Sequence, residues 1–317
     1  MPVIRSFIKR MRRIKAGVNT GGEIFLQYVD RVCHAMFRAR TDLHYKSRIA
    51  RLKKECWHEE DSSYHIGGMR FPAAGYEYEM GMGGMDADYY SYLHLNDRYD
   101  EEAVEICRRI SGEEPYSLVN DKVNVTVEPG DIVIDAGSCM GDFAAYASLR
   151  GCSACYAFEP TARTFYVLKK TAELNGDNIY PVNKGLSDKA SHMLLYIHTN
   201  DNPGANSFMD PKEKDFLVPA ENFGAVQSDV ETVRLDDFVR ENNLQRVDFI
   251  KADIEGFERH MLAGAQETLA RFAPKLAICT YHLPDDPEVL AGLIKQANPK
   301  YNIVQKTMKL FASVPHE

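Results

Sequence analysis

The chain has 317 residues, 44% of them hydrophobic and 26% charged, with a net charge of −8. These values suit one large globular domain or two. They exclude a mostly disordered chain, a collagen-like chain and a small disulfide scaffold. No apolar run approaches the roughly 18 residues of a spanning helix. The opening MPVIRSFIKRMRRIKA carries six Lys or Arg and lacks the apolar core of a secretory signal, so a cytoplasmic location is expected.

Residues 1–56 hold 14 Lys and Arg against 4 Asp and Glu, a net of +10, whereas the rest of the chain carries a net of −18. A basic arm on an acidic body fits peripheral contact with a membrane surface or another anionic partner, or else a solvated helix folded back on its own domain. The acidic body argues against nucleic acid as a partner. Within this part, Phe25, Val29, Val32, Met36 and Phe37 form a helical stripe, so 21–56 read as a long helix. Residues 62–95 set six glycines among methionines and tyrosines. They read as a loop, either plain surface or a mobile cover over a cleft. A short helix is expected near 101–110. Residues 1–114 are therefore assigned to a helical and Gly-rich extension, and 115–317 to a second domain. Of the seven cysteines, only Cys152 and Cys155 make a closely spaced pair. Zinc normally takes four ligands, so no metal is assigned, and Cys155 is expected as a small core residue.

From about residue 122 strands and helices alternate. DIVIDAG (131–137), ACYAF (154–158), NIYPVNKGL (178–186), VDFIKAD (247–253) and KLAICTY (275–281) read as strands. Helices are expected at 141–150, at 161–174, from LDDF with Asp236 as its cap, from the fourth strand to about 271, and near 287–297. Two further strand-like runs, 193–198 and 230–234, flank a polar segment, and YNIVQ and KLFAS read as a closing hairpin. Strands separated by helices imply parallel β-α-β units and a doubly wound sheet. Ligands of such sheets bind beyond the carboxyl ends of the strands.

The first strand ends in Asp135-Ala136-Gly137-Ser138-Cys139-Met140-Gly141 and the second in Phe158-Glu159-Pro160. Glycines let the backbone turn and approach a ligand, and a carboxylate at the second strand end can hold both hydroxyls of a ribose. The G-x-G-x-x-G that seats a pyrophosphate is absent, which disfavours an NAD-linked oxidoreductase. Asp135 at the loop mouth suits instead a cationic, phosphate-free adenosyl donor such as S-adenosyl-L-methionine.

The segments GDIVIDAGSCMGDF, YAFEP, NKGLSD, ETVRLDDF, VDFIKADIEGFE and PKLAICTYHLPDD, in that order, resemble the FkbM family of class I S-adenosylmethionine-dependent methyltransferases over about residues 115–317. The resemblance implies a mostly parallel, seven-stranded Rossmann-like sheet, and the N-terminal helical extension lies outside it. It also implies O-methylation of a sugar, glycan, glycolipid or polyketide-type product. By the resemblance Asp135, Ala136, Gly137, Ser138 and Gly141 would line the methionine part, and Glu159 and Pro160 the ribose. Ser187 and Asp188 would lie by the adenine, and Asp253 would close the site. Cys139-Met140 departs from the family, which more often has Asn and an aliphatic residue there.

Methyl transfer to an alcohol is aided by a base within hydrogen-bond reach. His282 follows the fifth strand and is expected to take the acceptor proton, with Asp253 orienting the acceptor or the histidine; Asp253 as a plain helix cap is the alternative. Asp253 and Glu255 together could also hold a divalent ion, but two carboxylates do not establish a site. Glu255 and Glu258 are read as favouring a helix start, and Lys251 as a strand lysine with a solvated head. Contacts that choose the acceptor are expected from the first hundred residues and from 199–229. An RNA or protein methyltransferase docked through the basic arm is the competing reading.

Overall fold

The computed structural model describes residues 54–72, 116–198, 204–212, 223–306 and 308–315. All but the last three residues of the helix expected over 21–56 lie outside these, as do the helix near 101–110 and residues 73–95 of the Gly-rich segment. From Cys56 on, the described residues belong to one compact unit.

The unit opens with three short antiparallel strands, β1 (Trp57–His58), β2 (Ser63–Ile66) and β3 (Met69–Pro72). Residues 63–72 are thus a hairpin and not the expected loop. Tyr64, Ile66, Met69 and Phe71 all point to its buried face, the period-two pattern of a half-covered strand. Gly67 and Gly68 both have positive φ, as a two-residue hairpin turn requires.

There follow β4 (Leu118–Val119), β5 (Asn124–Val125), β6 (Ile132–Ala136), α1 (Asp142–Leu149), β7 (Ala154–Phe158) and α2 (Ala162–Asn175). Next come β8 (Ile179–Val182), β9 (Gly185–Leu186), β10 (Ser191–His198), β11 (Phe223–Val233) and α3 (Leu235–Glu241). The chain continues with β12 (Phe249–Ala252), α4 (Glu258–Ala263), α5 (Gln266–Phe272), β13 (Lys275–Cys279), α6 (Asp286–Ala297), β14 (Asn302–Lys306) and β15 (Lys309–Ser313). The side chain of Asn175, at the end of α2, pairs with the backbone N–H and carbonyl of Arg70 and so ties the hairpin to that helix.

Seven strands form the main sheet in the order β14-β15-β13-β12-β6-β7-β8. The five from β13 to β8 are mutually parallel, and β15 runs antiparallel to both its neighbours. This is the doubly wound, Rossmann-like sheet expected. Its central strands IVIDA, FIKA and KLAIC are covered on both faces. Ile134, Ile250 and Leu276 enter one core with Met261 and Leu290. Val133, Phe249 and Ala277 enter the other with Phe143 and Phe311. Chain order reverses between β6 and β12, so the crevice of the fold opens at the ends of those two strands.

Three expectations are corrected. The run 178–186 is not one strand: β8 stops at Val182, and β9 leaves the main sheet to pair with β11, which forms an antiparallel ribbon with β10. The helix expected to run to 271 is broken at Gly264, where a Cβ would stand 2.0 Å from the Ser187 carbonyl oxygen. Asp236 does not cap its own helix. Its buried carboxylate accepts from the N–H groups of Glu267 and Thr268 and from the Thr268 hydroxyl, and so caps α5. Cys152 and Cys155 are free and buried. No helix among the described residues is long and apolar enough to cross a membrane. Asp236→Ala is expected to cost about 1–2 kcal/mol in urea denaturation, the upper range of a lost cap; an unchanged midpoint would show that the α5 cap is dispensable.

Candidate active site

The crevice at the switch point holds an open cleft. One wall comes from the two strand-end loops, Gly137 and Cys139 after β6 and Glu159 and Pro160 after β7. Opposite stand Asp253, Ile254, Glu255 and Phe257 after β12. The ribbon closes the remaining side with Leu195, Asn206 and Phe208. Two of these three lie in the 199–229 segment, where the sequence has no motif.

The loop after β6 has little room to vary. Gly137 has φ of +76°, and a Cβ on it would meet the Asp253 carbonyl oxygen at 2.0 Å. The N–H groups of Gly137 and Ser138 bond the Phe158 carbonyl, and that of Gly141 bonds Ser138. The Cys139 N–H donates to Glu159 Oε2 at 2.9 Å, while Glu159 Oε1 accepts from Thr161 N–H at 2.8 Å. These donors are committed to the chain itself, so they form no nest for a phosphate. The hydroxyls of Thr164 and Thr161 also bond this carboxylate, which lines the cleft. Cys139 sits at φ +48°, a conformation that Asn tolerates and most residues do not. That explains why an Asn suits this position in the motif.

The DIEGFE loop after β12 is built around Glu258. This carboxylate accepts the N–H groups of Ile254 and Gly256, and Glu255 and Gly256 between them both adopt positive φ. The turn aims Asp253 and Glu255 at the cleft. Asp253 accepts hydrogen bonds from the hydroxyls of Tyr116 at 2.8 Å and Tyr281 at 2.9 Å, so it is not a helix cap. Behind it lies His282, 1% exposed, with Nδ1 3.1 Å from Glu258 and Nε2 3.4 Å from Glu255 and 3.8 Å from Asp253.

A family model described as the methyltransferase FkbM domain matches residues 135–301, more than half of the chain. The chain belongs to the FkbM methyltransferase family. Methyltransferase sdnD of Sordaria araneosa is 31% identical over an alignment of 206 positions, a match that covers 58% of this chain and 75% of that protein. Among solved structures, methyltransferase FkbM of Methylobacillus flagellatus KT matches with a TM-score of 0.45 and 19% identity. The match covers 72% of this chain and 53%, about half, of that one. Aeropyrum pernix fibrillarin, solved with natively bound S-adenosyl-L-methionine, matches at a TM-score of 0.35 and 15% identity over 61% of this chain and 70% of its own.

In this FkbM methyltransferase the sequence-predicted residues divide. Ala136, Gly137, Glu159, Pro160 and Asp253 line the cleft. Asp135, Ser138, Gly141, Ser187, Asp188 and His282 are not among its lining residues. Gly141 starts α1, where a Cβ would meet Leu168 and Thr171. Ser187 is buried under Gly264, and Asp188 takes the Ser187 hydroxyl.

Asp135 is buried, and its counter-charge within the chain is Lys251. The two are register partners on β6 and β12, with Nζ 3.0 Å from Asp135 Oδ1 and hydrogen-bonded to the carbonyls of Gly137 at 2.6 Å and Ala136 at 3.3 Å. The expected solvated head of Lys251 is therefore corrected: the residue is 3% exposed. Burial pulls its pKa down, but Asp135, Asp253 and Asp142 outweigh this and hold it above the usual lysine value.

His282 is corrected as well. Burial favours its neutral form, but the Glu258 and Glu255 carboxylates prevail and lift its pKa to about 11. An imidazole held protonated at neutral pH does not accept a proton. Burial pushes Asp253 up, yet Lys251, His282 and the two tyrosine hydroxyls bring it down to about 2. Burial raises Glu255.

Lys251, Tyr116 and Tyr281 were given no role in the site from sequence. A lysine inside the apolar run FIKA was the available signal for the first, and its place before His282 for Tyr281. Tyr116 carries none, lying 137 residues from its partner. Lys251→Met should cost about 3–5 kcal/mol in chemical denaturation by stranding Asp135, and adding Asp135→Asn should restore part of it. A double variant no more stable than the single one would refute the pairing.

Proposed function

We propose that this methyltransferase moves a methyl group from S-adenosyl-L-methionine to a hydroxyl oxygen of a small molecule or glycan: a sugar, glycan, glycolipid or polyketide-type product. One observation carries the reading. A phosphate-free cleft presents a ribose-ready carboxylate, Glu159, on one wall and a tyrosine-braced carboxylate, Asp253, on the other. When bound, the donor supplies a methyl carbon made electrophilic by a sulfonium. Glu159 would hold its ribose hydroxyls, and Gly137 lets the backbone come close to the remainder.

Asp253 does the positioning for the acceptor. With both tyrosine hydroxyls donating to it, its carboxylate is fixed in direction, and an acceptor O–H that hydrogen-bonds to it would have its oxygen lone pair turned to the methyl carbon. Alignment of this kind is a large share of what an enzyme can supply for an in-line displacement. Glu255, beside it in the cleft with its affinity for protons raised by burial, is the better recipient of the acceptor proton than His282. The acidic cleft wall suits a neutral polyol more than a polyanion such as RNA. The basic first 56 residues are proposed to touch an anionic surface, such as the face of a membrane, on the cytoplasmic side.

S-adenosyl-L-methionine or its demethylated product should raise the melting temperature, NAD should not, and Glu159→Ala should abolish the shift. A shift that survives that change would end the ribose assignment. Asp253→Asn should keep donor binding and lower turnover about 100-fold or more. With an isotope-labelled methyl donor and cell extract, label should enter small molecules or glycans as ethers; label in RNA or protein would refute the acceptor class.

A further inference from the structure

A ring of carboxylates around a buried imidazole stands at the floor of the cleft. One carboxylate oxygen each of Asp253 and Glu258 and a ring nitrogen of His282 lie within 4.8 Å of one another. Glu255 Oε2 stands nearby, 3.4 Å from His282 Nε2. Donor atoms held about 2.0–2.5 Å from a common divalent ion stand roughly 3–5 Å apart, which is this spacing.

The histidine supplies the second, independent observation. It is 1% exposed, and neither ring nitrogen makes a hydrogen bond. A charge-assisted bond from an imidazolium to a carboxylate would be about 2.7–2.9 Å. Nε2 instead stands 3.4 Å and 3.8 Å from its two carboxylates, too far for that bond and close enough to share an ion. Nδ1 stands 3.1 Å from Glu258.

We propose that Asp253, Glu258 and His282, with Glu255 alongside, form a binding site for a divalent transition-metal ion, with Mn²⁺ or Zn²⁺ as the best match to a mixed imidazole and carboxylate donor set. Asp253 and Glu255 line the cleft while His282 and Glu258 close the buried side, so any open coordination position would face the acceptor. An ion there would bind an acceptor oxygen and make its hydroxyl more acidic, and the histidine that ligates it would release its own proton to solvent. The use of the ion rests on the hydroxyl-acceptor reading above; its binding does not.

The test uses the full chain stripped with a chelator. Calorimetry with MnCl2 and with ZnCl2 should find one site per chain, weakened about tenfold or more in Asp253→Asn and in Glu255→Gln. Pulsed electron paramagnetic resonance of the Mn²⁺ form should show modulation from a coordinated nitrogen, lost in His282→Gln. The Asp253 and Glu255 variants keep the test decisive if the histidine variant does not fold. Absence of uptake of either ion, or uptake with no nitrogen signal and no weakening in Asp253→Asn, overturns the proposal. A melting shift with S-adenosyl-L-methionine, read on the same stripped protein, separates the two readings. If it persists without metal uptake only the ion is refuted; if it is absent, the donor reading fails, whatever the metal does.

Discussion

Lys251 places a full positive charge in the middle of a parallel sheet, and the geometry of the cleft depends on how that charge is met. A lone ammonium there would be driven to its neutral form. Asp135 stands opposite it in register, and two carbonyls of the next loop residues complete its hydrogen bonds. Those carbonyls belong to Ala136 and Gly137, so the ion pair also fixes where the first loop leaves β6. The Gly137 carbonyl turns inward to the lysine. Its Cα is left hard against the Asp253 backbone, which is why no Cβ fits. One buried pair thus joins the two strand ends between which the cleft opens.

The same pair gives Asp135 a partner that the sequence did not show. An acid at the end of the first strand looks like a partner for a cationic ligand when only its own loop is visible. The cation that neutralises it comes from a strand 116 residues later, and only the register of β6 against β12 brings the two together. The parallel sheet itself was legible, because strands covered on both faces must be near-continuous apolar runs and these are short and separated by helical stretches. What could not be read were features that depend on a third element. β9 leaves the sheet for a ribbon, Asp236 caps a helix other than its own, and Phe208 enters the cleft from a segment of mixed composition. Tyr116 and Asp253 meet only after the whole domain has closed.

His282 shows the limit of assigning chemistry by residue type. Its ordinary pKa near neutrality makes histidine the natural choice for a base. Here three carboxylates surround it in a buried site, and their field decides its charge. Two of them, Glu255 and Glu258, lie in the segment DIEGFE, where the acids read naturally as favouring a helix start. Glu258 does bond two N–H groups there, but in doing so it folds the loop through the positive-φ pair Glu255 and Gly256 and directs Asp253 to the cleft. A backbone held in that sparsely populated region carries a cost that a merely structural turn could avoid with glycine.

The division of labour in the cleft follows from this. Glu159 is fixed by backbone N–H groups and threonine hydroxyls and Asp253 by tyrosine hydroxyls, so each carboxylate is held in direction by the chain itself. The Glu159 wall belongs to strand ends close together in the chain and is readable from its motif. The Asp253 wall draws on Tyr116, the β12 loop and the β13 loop. A change in acceptor can therefore be accommodated on the second wall and on the ribbon without disturbing the first. The segment that lends Asn206 and Phe208 lies outside the main sheet and the lysine pair, whereas Asp135 and Lys251 hold each other across its two central strands.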